Sequence, residues 1–148
     1  MESGRSNKVF ILGLDGATFN IMMPMVREGK LPTFAKIIED GTRCELNSTV
    51  VSNSAPAWTS FSTGKNPGKH GISGFFRLMG NSYQLKLLNG ADNKAKCLWE
   101  IAGEHGKKSI VMNIPMTYPP KEIDGIMISG LDAPSLDCDF TFPTELKE

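Results

Sequence analysis

The sequence is poor in the residues that build disulfide frameworks, nucleic-acid surfaces and membrane spans. Its three cysteines are widely spaced and form no Cys-x-x-Cys pair, which indicates reduced thiols in a cytoplasmic protein. Lysine plus arginine and aspartate plus glutamate each total 16, so there is neither a basic excess for nucleic acid nor an acidic tail. The apolar run at residues 9–14 is too short for a signal peptide or a membrane span. We therefore expect a cytoplasmic protein without nucleic-acid or membrane binding.

The chain is long enough, and contains enough apolar residues, to form one α/β domain over residues 1–148. It is 40% hydrophobic and 22% charged, which is ordinary for a globular protein with a real core. The segments that predict strands are residues 9–14, 42–49, 109–115 and 125–130, and those that predict helices are residues 20–28, 32–41, 54–64 and 93–104. Because most of these strands are apolar and alternate with helices, we predict a mostly parallel sheet with helices on both faces.

Residues 52–72 combine several hydroxyl groups with a helical pattern and a glycine-rich exit. Pro56 lacks an N–H and suits the first turn of a helix, which places Ser54 at or next to the N-cap. Trp58 and Phe61 share one apolar face of this helix, and Gly64 ends it. A serine at a helix N-terminus faces backbone N–H groups and the positive end of the helix dipole, which favour a phosphate and an attacking alkoxide. The alternative interpretation of Ser54 is a plain helix cap.

An acidic residue follows the first predicted strand. The run Val9-Phe-Ile-Leu-Gly-Leu ends at Asp15-Gly16, which places a carboxylate at the carboxyl end of a buried strand. Ligand sites in open α/β sheets lie at that end of the strands. Asp15 is therefore a candidate ligand, with a plain turn residue as the alternative.

These motifs together resemble the type I phosphodiesterase/nucleotide pyrophosphatase family of the alkaline phosphatase superfamily. In that superfamily the nucleophile is followed by any residue and then proline, and a Thr-Gly pair closes the same helix nine residues on. Ser54, Pro56, Thr63 and Gly64 fit this spacing, and Asp15 matches the first metal-ligand aspartate. The resemblance extends in order through residues 67–72, 97–101, 113–120 and 129–130. It implies the N-terminal part of an alkaline-phosphatase-like fold.

The resemblance implies hydrolysis of a small phosphodiester or phosphomonoester with two divalent metal ions, commonly zinc. Asp15 and Ser54 would hold one ion, and Ser54 would form a phosphoryl-enzyme intermediate. Ala57 stands where the nucleotide pyrophosphatase branch carries an asparagine that helps to hold the phosphoryl oxygen. The resemblance therefore does not extend to nucleotide specificity.

The family's remaining metal ligands lie downstream of the matched region. The chain is accordingly expected to be a single, incomplete domain, and residues 1–148 alone are expected to show no appreciable turnover. The alternative function is a catalytically inactive fragment or truncated paralogue that serves as a binding or structural module. An apolar sheet edge left open by missing strands would favour self-association.

Three further positions and one inserted segment remain to be considered. Asn113, at the end of a predicted strand, and Lys65, after the Ser54 helix, are candidate substrate contacts; a buried amide and a solvated loop charge are the alternatives. His70 follows the Ser54 helix, and the resemblance implies that His70-Gly71 is a structural turn, with a catalytic or ligand role for His70 as the alternative. No Gly-x-Ser-x-Gly elbow surrounds Ser54, so a Ser-His-Asp hydrolase is not indicated. Residues 71–88 form an inserted excursion, predicted as a hairpin over or beside Ser54.

Overall fold

The computed structural model describes residues 8–147, and the chain divides between Leu46 and Asn47 into two compact units. The first unit contains helices α1 (Phe19–Arg27) and α2 (Pro32–Asp40). The helices of the second unit are α3 (Ser54–Thr63), α4 (Pro67–His70) and α5 (Leu98–Glu104), with 3-10 turns at Gly90–Asp92 and Thr144–Lys147. Its strands are β1 (Phe76–Leu78), β2 (Leu85–Leu87), β3 (Ser109–Ile114), β4 (Gly125–Ser129) and β5 (Thr141–Phe142).

Both helices of the first unit form where the sequence predicts them. Thr18 caps α1 by accepting a hydrogen bond from the Asn20 N–H at 3.4 Å, and a proline opens α2 at its first position. Phe34 and Ile38, four residues apart, are half-buried on one face of α2. The helical spacing of Phe34, Ile37 and Ile38 predicts that all three face inward, but Ile37 is 59% exposed, so the buried stripe of α2 is narrower than this pattern predicts.

Two predicted strands are absent from the described residues. Residues 9–14 and 42–49 are extended or irregular and pair with no other strand there. Phe10 is 88% exposed and Leu46 is 89% exposed, although the apolar run at residues 9–14 and the alternation at residues 42–49 predict that both face a core. An apolar or alternating pattern favours extended backbone, but a strand also needs a partner for its N–H and C=O groups.

The second unit contains a three-stranded sheet in the order β3-β4-β5. β3 and β4 pair in parallel from Ser109 opposite Gly125, as predicted. The prediction that β3 is a buried strand is wrong, because Ile110 and Met112 are 72% and 61% exposed and only Val111 is buried. The short β5, which the sequence did not predict, pairs antiparallel with β4. The fold is thus a mixed α/β arrangement with two small sheets, and the prediction of a mostly parallel sheet is not confirmed.

Helix α5 covers one face of this sheet. A core cluster joins Cys97 and Trp99 to Val111 of β3 and Met127 of β4, each at most 6% exposed. The helix was predicted to begin after residue 93, but it begins at Leu98, because the Glu100 carboxylate accepts the Cys97 N–H at 2.8 Å. Such a reach back to the residue before the helix is the side-chain half of a capping box.

The predicted hairpin within the excursion is present. β1 and β2 pair antiparallel, with Phe76 opposite Leu87 and Leu78 opposite Leu85. The other face of the hairpin carries Arg77 and Lys86, which contact the Asp92 carboxylate at 3.7 and 2.5 Å. Among residues 8–147, no helix is long and apolar enough to cross a membrane.

Candidate active site

Helix α3 presents Ser54 as its first residue, with Asn53 as the N-cap. Asn53 has extended backbone angles, and its side-chain oxygen accepts the Ala55 N–H at 3.1 Å. The Asn53 carbonyl oxygen accepts the Ala57 N–H, also at 3.1 Å. Ser54 therefore lies next to the cap, as predicted, and the plain capping role belongs to Asn53 instead.

The first turn of α3 cannot bind an anion through the Ala55 or Ala57 N–H without breaking an existing hydrogen bond. The N–H groups of Ala55 and Ala57 are bonded to Asn53, and Pro56 has no N–H. A phosphate oxygen at this helix N-terminus would have to replace the Asn53 side chain at the Ala55 N–H. The expectation that helix N–H groups face the substrate therefore stays a prediction, and it requires Asn53 to release the Ala55 N–H.

The buried residues of α3 include hydroxyl side chains beside the apolar Ala55 and Pro56. Thr59 and Thr63 are 3% and 6% exposed, and each hydroxyl donates to the carbonyl oxygen four residues earlier at 2.7 Å. These internal bonds satisfy the hydroxyl groups, so their burial carries no unpaired donor. Trp58 and Phe61, which were expected to form the apolar face, are less buried and meet edge to face with ring centroids 5.9 Å apart.

Lys65 lies at the opposite end of α3 from Ser54. The helix contains ten residues, and a rise of about 1.5 Å per residue places Lys65 roughly 15 Å along the axis from Ser54. Gly64 ends the helix in the left-handed conformation, with φ of 62°. The structure therefore does not bring Lys65 to the candidate nucleophile.

His70 is a fully buried structural residue. Its Nδ1 accepts the Ile72 N–H at 3.1 Å, so the ring proton is on Nε2, which lies 3.0 Å from Ser60 Oγ and donates to it. This tautomer cannot take a proton from Ser60, so the pair is not a serine–histidine nucleophile. Burial lowers the pKa of His70 and keeps the ring neutral. Gly71 follows with φ of 83°, in agreement with the predicted structural turn.

Three segments converge on the first turn of α3. Ala55 is completely buried in a cluster with Ile72, Leu88 and Met116. Ile72 and Leu88 stand at the two ends of the excursion, so these ends lie beside the turn that begins with Ser54. Met116 comes from the loop that follows β3, and this loop therefore also reaches the candidate nucleophile's helix.

Asn113 occupies a bulge at the carboxyl end of β3. Its φ is 55°, and the pairing with β4 shifts register between Met112 and Ile114. Asparagine tolerates this left-handed conformation better than most residues. The Asn113 side chain is exposed, so the alternative of a buried amide does not hold. It stands three residues before Met116.

The loop after β3 is held by a carboxylate that the sequence analysis missed. Asp132 Oδ1 accepts the N–H groups of Met116 and Thr117 at 3.0 and 3.3 Å, and Oδ2 accepts that of Tyr118 at 2.9 Å. Asp132 follows shortly after β4. The signal that singled out Asp15, an acid just beyond an apolar strand, would also have identified Asp132.

Asp15 lies in a turn of the first unit, before Gly16 with φ of 68°, and is exposed. Ser54 belongs to the second unit, so their proximity stays a prediction. Among residues 8–147, no three histidine, cysteine or carboxylate side chains gather closely enough to hold a metal ion. The carboxylate of Asp15 and the hydroxyl of Ser54 are oxygen ligands of a kind that suits a divalent cation, and their sharing of one ion stays a prediction.

Comparison with known protein families identifies the family to which the chain belongs. The sequence model described as type I phosphodiesterase / nucleotide pyrophosphatase matches residues 9–147, nearly the whole chain. The protein therefore belongs to this family of phosphoester hydrolases, which is generally metal-dependent. No curated protein and no solved structure matches the chain.

Proposed function

We propose that this chain carries the nucleophile of a metal-dependent phosphodiester or phosphomonoester hydrolase of the nucleotide pyrophosphatase/phosphodiesterase type. Ser54 is the nucleophile, and Asp15 with Ser54 supplies ligands to one of two divalent ions, zinc in this proposal. The observation that carries the proposal is the position of Ser54, first in a helix whose cap is Asn53, within a family match over residues 9–147.

The first turn of α3 supports the chemistry assigned to Ser54. Its Oγ attacks phosphorus in line with the departing ester oxygen, the ester P–O bond breaks, and a phosphorylated Ser54 remains for water to hydrolyse. The positive end of the helix dipole favours both the attacking oxygen and the phosphoryl group. A divalent ion supplies Lewis-acid charge that promotes deprotonation of the hydroxyl when it is bound.

Asn53 is expected to yield the Ala55 N–H to the substrate. Its side-chain oxygen holds that N–H at 3.1 Å, the range of an ordinary neutral hydrogen bond. A phosphoryl oxygen carries more charge than an amide oxygen and makes the stronger bond. In this proposal Asn113, exposed at the end of β3, is a further substrate contact, and Lys65 is left out because α3 separates it from Ser54.

The proposal is tested by trapping the product of the first step, the transfer of a phosphoryl group from the substrate to Ser54. The 148-residue chain is incubated with Zn²⁺ or Mn²⁺ and bis-p-nitrophenyl phosphate, and mass spectrometry locates any adduct within tryptic residues 44–65. A stoichiometric adduct is the readout because it records one transfer and does not need repeated turnover. We expect a metal-dependent adduct on Ser54 that Ser54→Ala removes.

Ser52→Ala is the matched control, because Ser52 is an exposed serine just before the helix. This variant should label at the wild-type rate. Labelling that persists in Ser54→Ala would show that another residue is the nucleophile. A wild-type chain with no adduct above the Ser54→Ala background would instead support the alternative of a non-catalytic binding or structural module.

A further inference from the structure

We infer that Asp132 is a positioning residue for Ser54 and acts through the loop Met116–Tyr118. The inference rests on the proposed function, because it assigns Asp132 a role in placing the nucleophile. It is carried by a continuous chain of contacts within the second unit. The chain runs from the Asp132 carboxylate to three backbone N–H groups, and from Met116 through the buried cluster that it shares with Ala55, the residue after Ser54.

The Asp132 carboxylate determines the conformation of this loop. Both of its oxygens accept backbone N–H groups, at 2.9 to 3.3 Å, and hydrogen bonds to a charged acceptor are stronger than those between neutral groups. Met116 has φ of 64°, a conformation that a side chain of this size rarely adopts without support from its surroundings. The three converging hydrogen bonds provide that support.

The loop is also hydrogen-bonded to its neighbours at several points. Thr117 Oγ1 donates to the Ile114 carbonyl at 2.6 Å and accepts the Gly130 N–H at 3.1 Å. The Tyr118 carbonyl accepts the Gly90 N–H at 2.7 Å. A Cβ atom at Gly90 would lie 2.8 Å from the Tyr118 carbonyl oxygen and 2.9 Å from that of Met116. This close backbone packing leaves little room for the loop to shift on its own.

Met116 connects the loop to α3 through a buried apolar cluster. Its side chain is 5% exposed and packs in the cluster that contains the fully buried Ala55. Ala55 lies between Ser54 and Pro56 in the first turn, so a displaced Met116 would alter the support of that turn. Close-packed interiors pass such displacements to adjacent backbone. Loss of the Asp132 carboxylate should therefore reach the Ser54 turn, although Asp132 is remote from it in sequence.

The test is amide hydrogen exchange by NMR on the ¹⁵N-labelled 148-residue chain, compared among wild type, Asp132→Ala, Asp132→Asn and Met116→Ala. In Asp132→Ala we expect exchange at Met116, Thr117 and Tyr118 to accelerate about tenfold or more, and the Ala57 N–H in the first turn of α3 to follow. Asp132→Asn keeps an acceptor oxygen and should show a smaller increase. Met116→Ala should accelerate Ala57 while the bonds to Asp132 persist.

Glu100→Gln is the matched control, because that carboxylate also accepts a backbone N–H, but at α5. It should leave the Ala57 exchange rate unchanged. Faster exchange in the loop without any change at Ala57 would overturn the inference and leave Asp132 a local structural role. If Asp132→Ala unfolds, so that even the core residue Met127 exchanges rapidly, the responses of Asp132→Asn and Met116→Ala decide instead.

This readout is independent of the chemistry of Ser54. A wild-type chain that forms no Ser54 adduct would refute the proposed function while the exchange data still report on Asp132. An adduct that forms equally fast in wild type and in a folded Asp132→Asn variant with accelerated loop exchange would refute the inference alone. A slower adduct in Asp132→Asn, with the Glu100→Gln rate unchanged, would support it.

Discussion

Replacing His70 with alanine is expected to lower the free energy of unfolding by about 3–5 kcal/mol. The imidazole is completely buried, and both ring nitrogens are used, Nδ1 by the Ile72 N–H and Nε2 by Ser60 Oγ. Alanine leaves a cavity and strands a buried donor at Ile72. The measurement is urea denaturation followed by circular dichroism, with His105→Ala as control. His105 is exposed at the end of α5, so its replacement should have little effect.

His70 is also expected to make the free energy of unfolding depend on pH. Burial lowers the pKa of His70 below its ordinary value of 6.5, so the unfolded chain binds this proton more readily than the folded one. The stability that neutral His70 provides is complete above about pH 6.5 and falls as the pH decreases through that value toward the lowered pKa. The pH dependence in this window should disappear in His70→Ala and persist in His105→Ala. An unchanged pH dependence in His70→Ala would contradict the assignment.

Gly125→Ala is expected to destabilise the second unit by about 3 kcal/mol or more. Gly125 has φ of 143°, and a Cβ atom there would lie 1.9 Å from the Ser109 carbonyl oxygen and 2.8 Å from its carbonyl carbon. These are backbone atoms of the paired strand, so they cannot rotate away as a side chain would. The parallel β3–β4 pair would have to separate at its first residue pair, where Ser109 stands opposite Gly125.

Gly106→Ala provides the comparison for this effect. Gly106 also has a positive φ, 67°, but a Cβ atom there would meet nothing within 4 Å. Its replacement should cost only about 1 kcal/mol, the conformational penalty of a left-handed alanine. Urea midpoints of the two variants measure the difference. Equal midpoints would show that the strands do not approach each other as closely at Gly125 as described.

Elements that depend on neighbours in sequence were predictable. Helices α1, α2 and α3 begin near capping or proline residues and carry a period close to 3.6, and these signals act within one or two turns. The hairpin follows from two short apolar strands joined at Gly80-Asn81, and Gly80 has φ of 55°. β3 and β4 were recognisable as continuous apolar runs.

Features that depend on distant partners were not predictable. Residues 9–14 have the composition of a strand, but a strand requires a partner that no local pattern identifies. The buried face of α3 was also not predictable from its apolar residues, because Trp58 and Phe61 are less buried than the threonines of this helix. Thr59 and Thr63 are buried instead, since each satisfies its own hydroxyl within the helix.

The candidate nucleophile shows the same division. The sequence alone determined that Ser54 precedes Pro56 and Thr63-Gly64 at the spacing of a phosphoester hydrolase family, because that spacing is a property of one helix. The cap at Asn53 and the position of Lys65 at the far end of the helix are local features of the same kind. Only the tertiary structure decided that Asp132 holds a loop whose Met116 lies in the same buried cluster as Ala55. This arrangement joins residues far apart in the chain. It arises from the folding of the second unit around a common core, and no local sequence pattern specifies which distant residues meet there.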